Sequence, residues 1–209
     1  RELNVYCEIH PFNKIPKDLD SFKALILSGS PYSVREADSP RVNLDILLSK
    51  FPTLAVCYGA QLIAQEMGGV VSASNIREYG RANLVIKKND SILFDGIENN
   101  NQVWMSHSDT IKQLPKNSLL LASSHDVENV AYKYMDNTYC LQFHPEVYHT
   151  VQGKELLKNF LTKISKLKQT WTPDSFIDST IEELKTRIGN DKVIPVSYTH
   201  LTLPTRIFV

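Results

Sequence analysis

The chain has 209 residues, 42% hydrophobic and 22% charged, with 23 basic and 23 acidic side chains. That size and mix suit about one or two globular domains; the balanced charge excludes a general pull toward nucleic acid or anionic lipid, and no apolar run approaches the roughly 18 residues that span a bilayer. Three cysteines without paired spacing exclude a disulfide framework or zinc site and point to a reducing, cytoplasmic setting, with Cys7 and Cys140 as packing residues.

In chain order, the sequence opens at Arg1 without an initiator methionine, in what reads as the end of a helix and so as a piece of a longer protein. Residues 4–9 are expected as a strand and residues 22–27 as a second, buried one. The latter runs into Ser28, Gly29, Ser30 and Pro31, a turn whose backbone N–H groups can point at an anion or form a plain surface turn. Residues 42–48 have a helical pattern and lead through Pro52 to a short apolar run, Leu54, Ala55 and Val56, read as a buried strand.

That strand stops at Cys57, and apolar residues then fall at 60, 63, 64 and 67, the period of a helix with one buried face. Gly68 and Gly69 close it. Cys57 therefore lies in a strand-to-helix turn, where the unpaired amides and dipole of the helix N-terminus favour thiolate. Gly59 lets the backbone bend and a substrate approach. The alternative, a core cysteine ending a strand, carries about equal weight on this turn alone.

From 70 to 121 the texture becomes short apolar segments near 84–87, 91–94, 101–105 and 119–122, broken by Asp-Gly and Asn-rich turns, a pattern of antiparallel strands. Residues 77–80 are expected near the site rim, and the polar Ser106, His107 and Ser108 are expected between strands. Tyr139, Leu141 and Phe143 alternate with Cys140, Gln142 and His144 as a further strand, which Pro145 ends. His144 and Glu146 can project the same way, so the carboxylate can orient an imidazole facing Cys57, a nucleophile–base–orienter set. Taken singly, His144 reads more readily as a hydrogen-bonded histidine at a strand end than as a base. Residues 153–167 form an amphipathic helix packed on the sheet, 168–173 a linker, and 174–189 another amphipathic helix. Residues 192–194 begin a strand, and 195–209 read as translated read-through, set aside from the fold.

These residues resemble a known family. Cys57-Tyr58-Gly59-Ala60-Gln61 and His144-Pro145-Glu146 resemble the two motifs of the triad-type, class I glutamine amidotransferases, and Ser28 to Pro31 is similar to their Ser-Gly-Gly-Pro oxyanion loop, with Ser30 in place of a glycine. Trp104 to Asp109 resembles the Trp-Met-Ser-His-Gly-Asp segment typical of the glutamine-hydrolysing GMP synthetases, with Ser108 in place of glycine. The resemblance spans residues 1 to 194 and implies an α/β, doubly wound, mostly parallel sheet with flanking helices and a smaller antiparallel insertion. It implies a first strand and helix ahead of Arg1, an amidotransferase domain at 1–167, and at 168–194 a linker and the start of an ATP-pyrophosphatase domain.

The implied activity is hydrolysis of L-glutamine by Cys57, His144 and Glu146. Gly29, Ser30 and Tyr58 would supply the oxyanion hole, and Gly59, Gln61, Ser106, His107 and Ser108 would bind substrate. No cofactor or metal is implied for this half. ATP and magnesium belong to the synthetase domain that would receive the ammonia to aminate XMP, and the whole protein would be a homodimer. The resemblance implies neither nucleic acid nor membrane as partner. An amidotransferase of another synthase, a γ-glutamyl hydrolase and a catalytically silent regulatory domain remain open.

Overall fold

The computed structural model describes residues 1–191, without the side chains of residues 75–78. The strand expected at 192–194 and the read-through at 195–209 lie outside the described residues, as do the side chains of Arg77 and Glu78. The chain forms two compact units, one of Cys7–Gln169 and one joining Arg1–Tyr6 to residues from Thr170 onward.

The larger unit is built on a seven-stranded sheet: β1 (Leu25–Leu27), β2 (Thr53–Val56), β3 (Val70–Ile86), β4 (Asn101–Gln113), β5 (Ser118–Ser123), β6 (Ala131–Tyr134) and β7 (Thr138–Leu141). Their spatial order is β1-β2-β7-β6-β5-β3-β4. Parallel pairing joins β1, β2 and β7, and antiparallel strands continue the same sheet outward from β7.

Every residue of β2 is buried, so its side chains serve both faces, as a parallel sheet requires. Leu54 and Val56 join Leu141, Leu93, Phe94, Leu156 and Phe160 in one cluster. Ala55 joins Cys140, Tyr58, Ile63 and Tyr132 in another. The helix α2 (Tyr58–Glu66) contributes to the second cluster with α1 (Leu44–Lys50), while α3 (Gly153–Lys158) and the π-helical turn after it contribute to the first. Helical cover on both faces is the doubly wound arrangement that the sequence pattern implies. Asn43 caps α1 by accepting from the Ile46 amide at 3.2 Å.

In the smaller unit, Tyr6 packs against Trp171 and Phe176, and the Trp171 amide donates to the Asn4 carbonyl at 2.9 Å. The helix α4 (Pro173–Ile188) starts at a Thr172–Ser175 capping box with proline in the first turn. Its apolar Phe176, Ile177, Ile181 and Leu184 are exposed. No helix among the described residues is long and apolar enough to cross a membrane.

Several expectations change. Residues 5–9 are in neither helix nor strand: alternation alone does not make a strand. Cys7 is exposed, whereas Cys140 is buried. The segment at 91–94 is a 3₁₀ turn, Ile92–Phe94. The short strands expected between 70 and 113 merge into two long ones, and Ser106, His107 and Ser108 lie inside β4.

Candidate active site

Cys57 joins β2 to α2 with φ 49° and ψ −106°, a positive-φ conformation uncommon for a side-chain-bearing residue and of the kind that collects at functional turns. The turn is held from both sides. The Cys57 amide donates to the Leu141 carbonyl of β7 at 2.7 Å, and the Cys57 carbonyl accepts from the Gln61 amide at 3.1 Å. The helix can start this close to β1 only because residue 59 is glycine. A Cβ there would lie 2.7 Å from the Leu27 carbonyl oxygen and 2.8 Å from the Leu27 Cβ. Packing is thus what the structure asks of Gly59. Cys57 is 5% exposed, and its thiol rests 3.7 Å from the Ser106 carbonyl oxygen.

His144 follows β7 and is held by β4. Its amide donates to the Trp104 carbonyl at 3.0 Å; the Thr150 hydroxyl donates to the His144 carbonyl and accepts from the Trp104 amide at 3.0 Å. The His144 Nδ1 lies 2.7 Å from the Glu146 Oε1. Nε2 is buried without a partner of ordinary hydrogen-bond geometry. The Cys57 side chain is the strongest influence raising the imidazole pKa, followed by Glu146; together they outweigh burial and lift it to about 10. For Glu146 burial acts upward, but the hydrogen bond from His144 and the attraction of its ring leave the carboxyl below its usual range.

Gly29 links cysteine and histidine geometrically: a Cβ on it would lie 3.2 Å from His144 Cε1 and 3.6 Å from the Cys57 Cβ. The predicted nucleophile, base and oxyanion loop therefore meet around one backbone position. Ser30 is not among the positive-φ residues, so the serine replacing the family's glycine carries no left-handed strain. Its hydroxyl accepts from the Tyr32 amide at 3.3 Å. Tyr58 opens α2, so its amide has no acceptor within the helix, while its buried side chain donates to the Pro40 carbonyl.

The predicted substrate residues separate. In β4, Val103, Met105, His107, Asp109 and Ile111 are buried, while Ser106 and Ser108 are exposed. His107 points inward; burial chiefly holds its pKa down, helped by the nearby His144 and partly countered by a hydrogen bond with the Asp109 backbone. Gln61 is 3% exposed and donates to the Asp109 carbonyl at 2.9 Å. The Asp109 carboxylate, 3% exposed, accepts from Ser33 Oγ and from Arg35 Nε and Nη2 at 3.1 and 2.9 Å. Asp109 with Ser33 and Arg35, and Thr150 behind His144, were not picked out from the sequence. The period of two running through 103–111 was the available signal, since it places position 109 indoors. Among the described residues no group of three or more His, Cys, Asp or Glu is arranged to hold a metal ion.

Fold and site together define an α/β protein with a cysteine at a sheet-to-helix elbow, faced by a carboxylate-oriented histidine. The profile described as glutamine amidotransferase class-I matches residues 1–164, and the chain belongs to that family. It is 56% identical over 195 residues to a glutamine-hydrolyzing GMP synthase of Christiangramia forsetii and 53% identical to one of Flavobacterium psychrophilum. In each case the match covers 93% of this chain and 38% of the relative, so the chain spans well under half of those proteins. Among solved structures it is similar to a putative GMP synthase subunit from Thermoplasma acidophilum, with TM-score 0.57, 27% identity, and coverage of 80% of this chain and 78% of that one. A glutamine amidotransferase of Thermotoga maritima shares the fold, with TM-score 0.56 and 22% identity over 84% of this chain and 78% of that one.

Proposed function

We propose that the chain is the glutaminase half of a glutamine-hydrolysing GMP synthase. Its reaction is L-glutamine plus water to glutamate and ammonia. With the shared proton held on His144 Nε2, the Cys57 sulfur attacks the side-chain carboxamide carbon. The tetrahedral oxyanion is met by backbone N–H groups of the Gly29–Ser30 loop and of Tyr58, donors worth about 10²–10³ in rate each. His144 returns the proton to the departing nitrogen, releasing ammonia and leaving a glutamyl thioester. It then takes a proton from water, which attacks the thioester carbon and frees the thiol. Glu146 orients the ring and favours its charged form. Ser106 and Ser108, exposed on β4, face the substrate's α-amino and α-carboxylate groups; Gln61 and His107 brace that wall from behind.

The observation that carries this reading is the convergence of Cys57, His144 and Gly29, with Glu146 on the far nitrogen of the ring. The identity to GMP synthases supports the rest. Residues 1–167 are the amidotransferase domain, and residues 168–194 lead into a synthetase domain that uses ATP and magnesium to aminate XMP. The whole protein works as a cytoplasmic homodimer, and the glutaminase half itself needs no cofactor. Purified, the chain should release ammonia and glutamate from glutamine at a low rate and make no GMP. Unchanged hydrolysis in Cys57→Ala overturns the assignment, and release of a γ-linked amino acid instead of ammonia would indicate a γ-glutamyl hydrolase.

A further inference from the structure

We propose that Arg35 is a positioning residue, holding the oxyanion loop to the active-site wall through the buried carboxylate of Asp109. This rests on the glutaminase reading above. The segment after Gly29 and Ser30 has no regular structure and must be fixed by side chains. Two of them reach Asp109 across 74 and 76 residues of sequence: the Arg35 guanidinium through Nε and Nη2 at 3.1 and 2.9 Å, and the Ser33 hydroxyl. Between them, fully buried Val34 joins the cluster under α2, and its carbonyl accepts from Arg41 Nη2 at 2.9 Å and Gln65 Nε2 at 3.2 Å. The loop is thereby clamped four to six residues after Gly29.

Asp109 is the common point of three pieces of the site. Its carboxylate holds the loop. Its carbonyl holds Gln61, one turn along the helix that begins at the Cys57 elbow. Its own strand carries Ser106, whose carbonyl receives the thiol. A guanidinium fork on a carboxylate fixes orientation as well as distance, which a lysine ammonium does not. Arg35 touches none of the reacting atoms; its effect passes through the amides of Gly29 and Ser30, so it bears on the transition state more than on glutamine binding.

The test measures glutamine hydrolysis and iodoacetamide alkylation of Cys57 in wild type, Arg35→Ala, Arg35→Lys and the double variant Arg35→Ala/Asp109→Asn. Arg35→Ala should lower kcat about 10²-fold, the value of one oxyanion donor, with KM within a few-fold and alkylation little changed. Added guanidinium ion should restore part of kcat, and Arg35→Lys should recover less than wild type. The double variant removes the unpaired buried charge, so its thermal stability should rise above that of Arg35→Ala while kcat stays low. Wild-type kcat in Arg35→Ala, a loss confined to KM, or recovery of kcat in the double variant would each overturn the assignment. Failure of Arg35→Ala to fold leaves the double variant and Arg35→Lys to decide it. Wild type without any Cys57-dependent hydrolysis would instead sink the glutaminase reading itself.

Discussion

Replacing Gly29 by alanine probes the meeting point of cysteine, histidine and loop with one methyl group. The glycine is not at a left-handed φ, so alanine brings no backbone strain, and what matters is the space its Cβ would enter. That Cβ would stand 3.2 Å from His144 Cε1 and 3.6 Å from the Cys57 Cβ. The second distance is ordinary contact, whereas the first requires the ring to give by a few tenths of an ångström. The ring is held by Glu146 at Nδ1 and by backbone bonds on both sides of its residue, so it yields by turning away from the sulfur. A misplacement near 1 Å costs on the order of 10²-fold in rate, and the smaller shift here should cost roughly 10-fold in kcat. Stability should fall by no more than about 1–3 kcal/mol, the range for an added methyl in a packed place. Initial rates of ammonia release against glutamine concentration, with a thermal melt of the same sample, measure both. An alanine variant with wild-type kcat would show that the imidazole is not seated beside residue 29.

Gly59→Ala should be far more damaging to the fold, because its Cβ would press within 2.7 Å of a backbone oxygen; denaturant unfolding should show a loss of about 3 kcal/mol or more, at or beyond the top of the overpacking range. Thr150→Val removes the hydroxyl bridging Trp104 and His144 and should cost about 1–3 kcal/mol with lower kcat, while Thr150→Ser keeps both. His144 binds its proton more tightly folded, with a pKa of about 10, than unfolded at roughly 6.5. Its stabilising contribution is therefore complete below pH about 6.5 and lost as pH rises toward about 10, so melting curves of wild type should fall across that window more steeply than those of His144→Gln. Asn159→Ala strands the carbonyls of Leu93 and Asp95, which Asn159 Nδ2 now satisfies at 3.1 and 2.7 Å; a loss of about 1–3 kcal/mol should appear in urea titrations.

The parts of the site readable in the sequence are those whose cause is local. A buried apolar run, a cysteine, a glycine two residues on and a 3.6-residue period dictate an elbow wherever they occur. The alternation through residues 139–143 places His144 just beyond β7, although the strand stops at Leu141 and not at Pro145, with a single bridge from Phe143 to Met105. The substitution of Ser30 for glycine was legible as a question, and the backbone angle answers it. What was not legible depends on partners far along the chain. The Asp109–Arg35 pair spans 74 residues and has no local signature, because an arginine in a polar loop usually faces water. Ser106, His107 and Ser108 read as a turn because polar clusters usually are turns, yet β3 lies alongside and carries β4 through them, with only His107 turned inward. Residues 4–9 show the opposite failure: alternation without a strand. Tyr6 instead stacks on Phe176 in the smaller unit, with ring centroids 6.0 Å apart.

The most direct test of a Cys57-centred glutaminase is to supply glutamine labelled with heavy nitrogen in its side-chain amide and follow labelled ammonia in wild type and Cys57→Ala, alongside mass spectrometry after a glutamine-mimicking diazoketone. Wild type should release labelled ammonia and carry the adduct on Cys57 alone, and the variant should do neither. Equal release from both proteins, or an adduct on Cys7 or Cys140 with Cys57 unmodified, would contradict it.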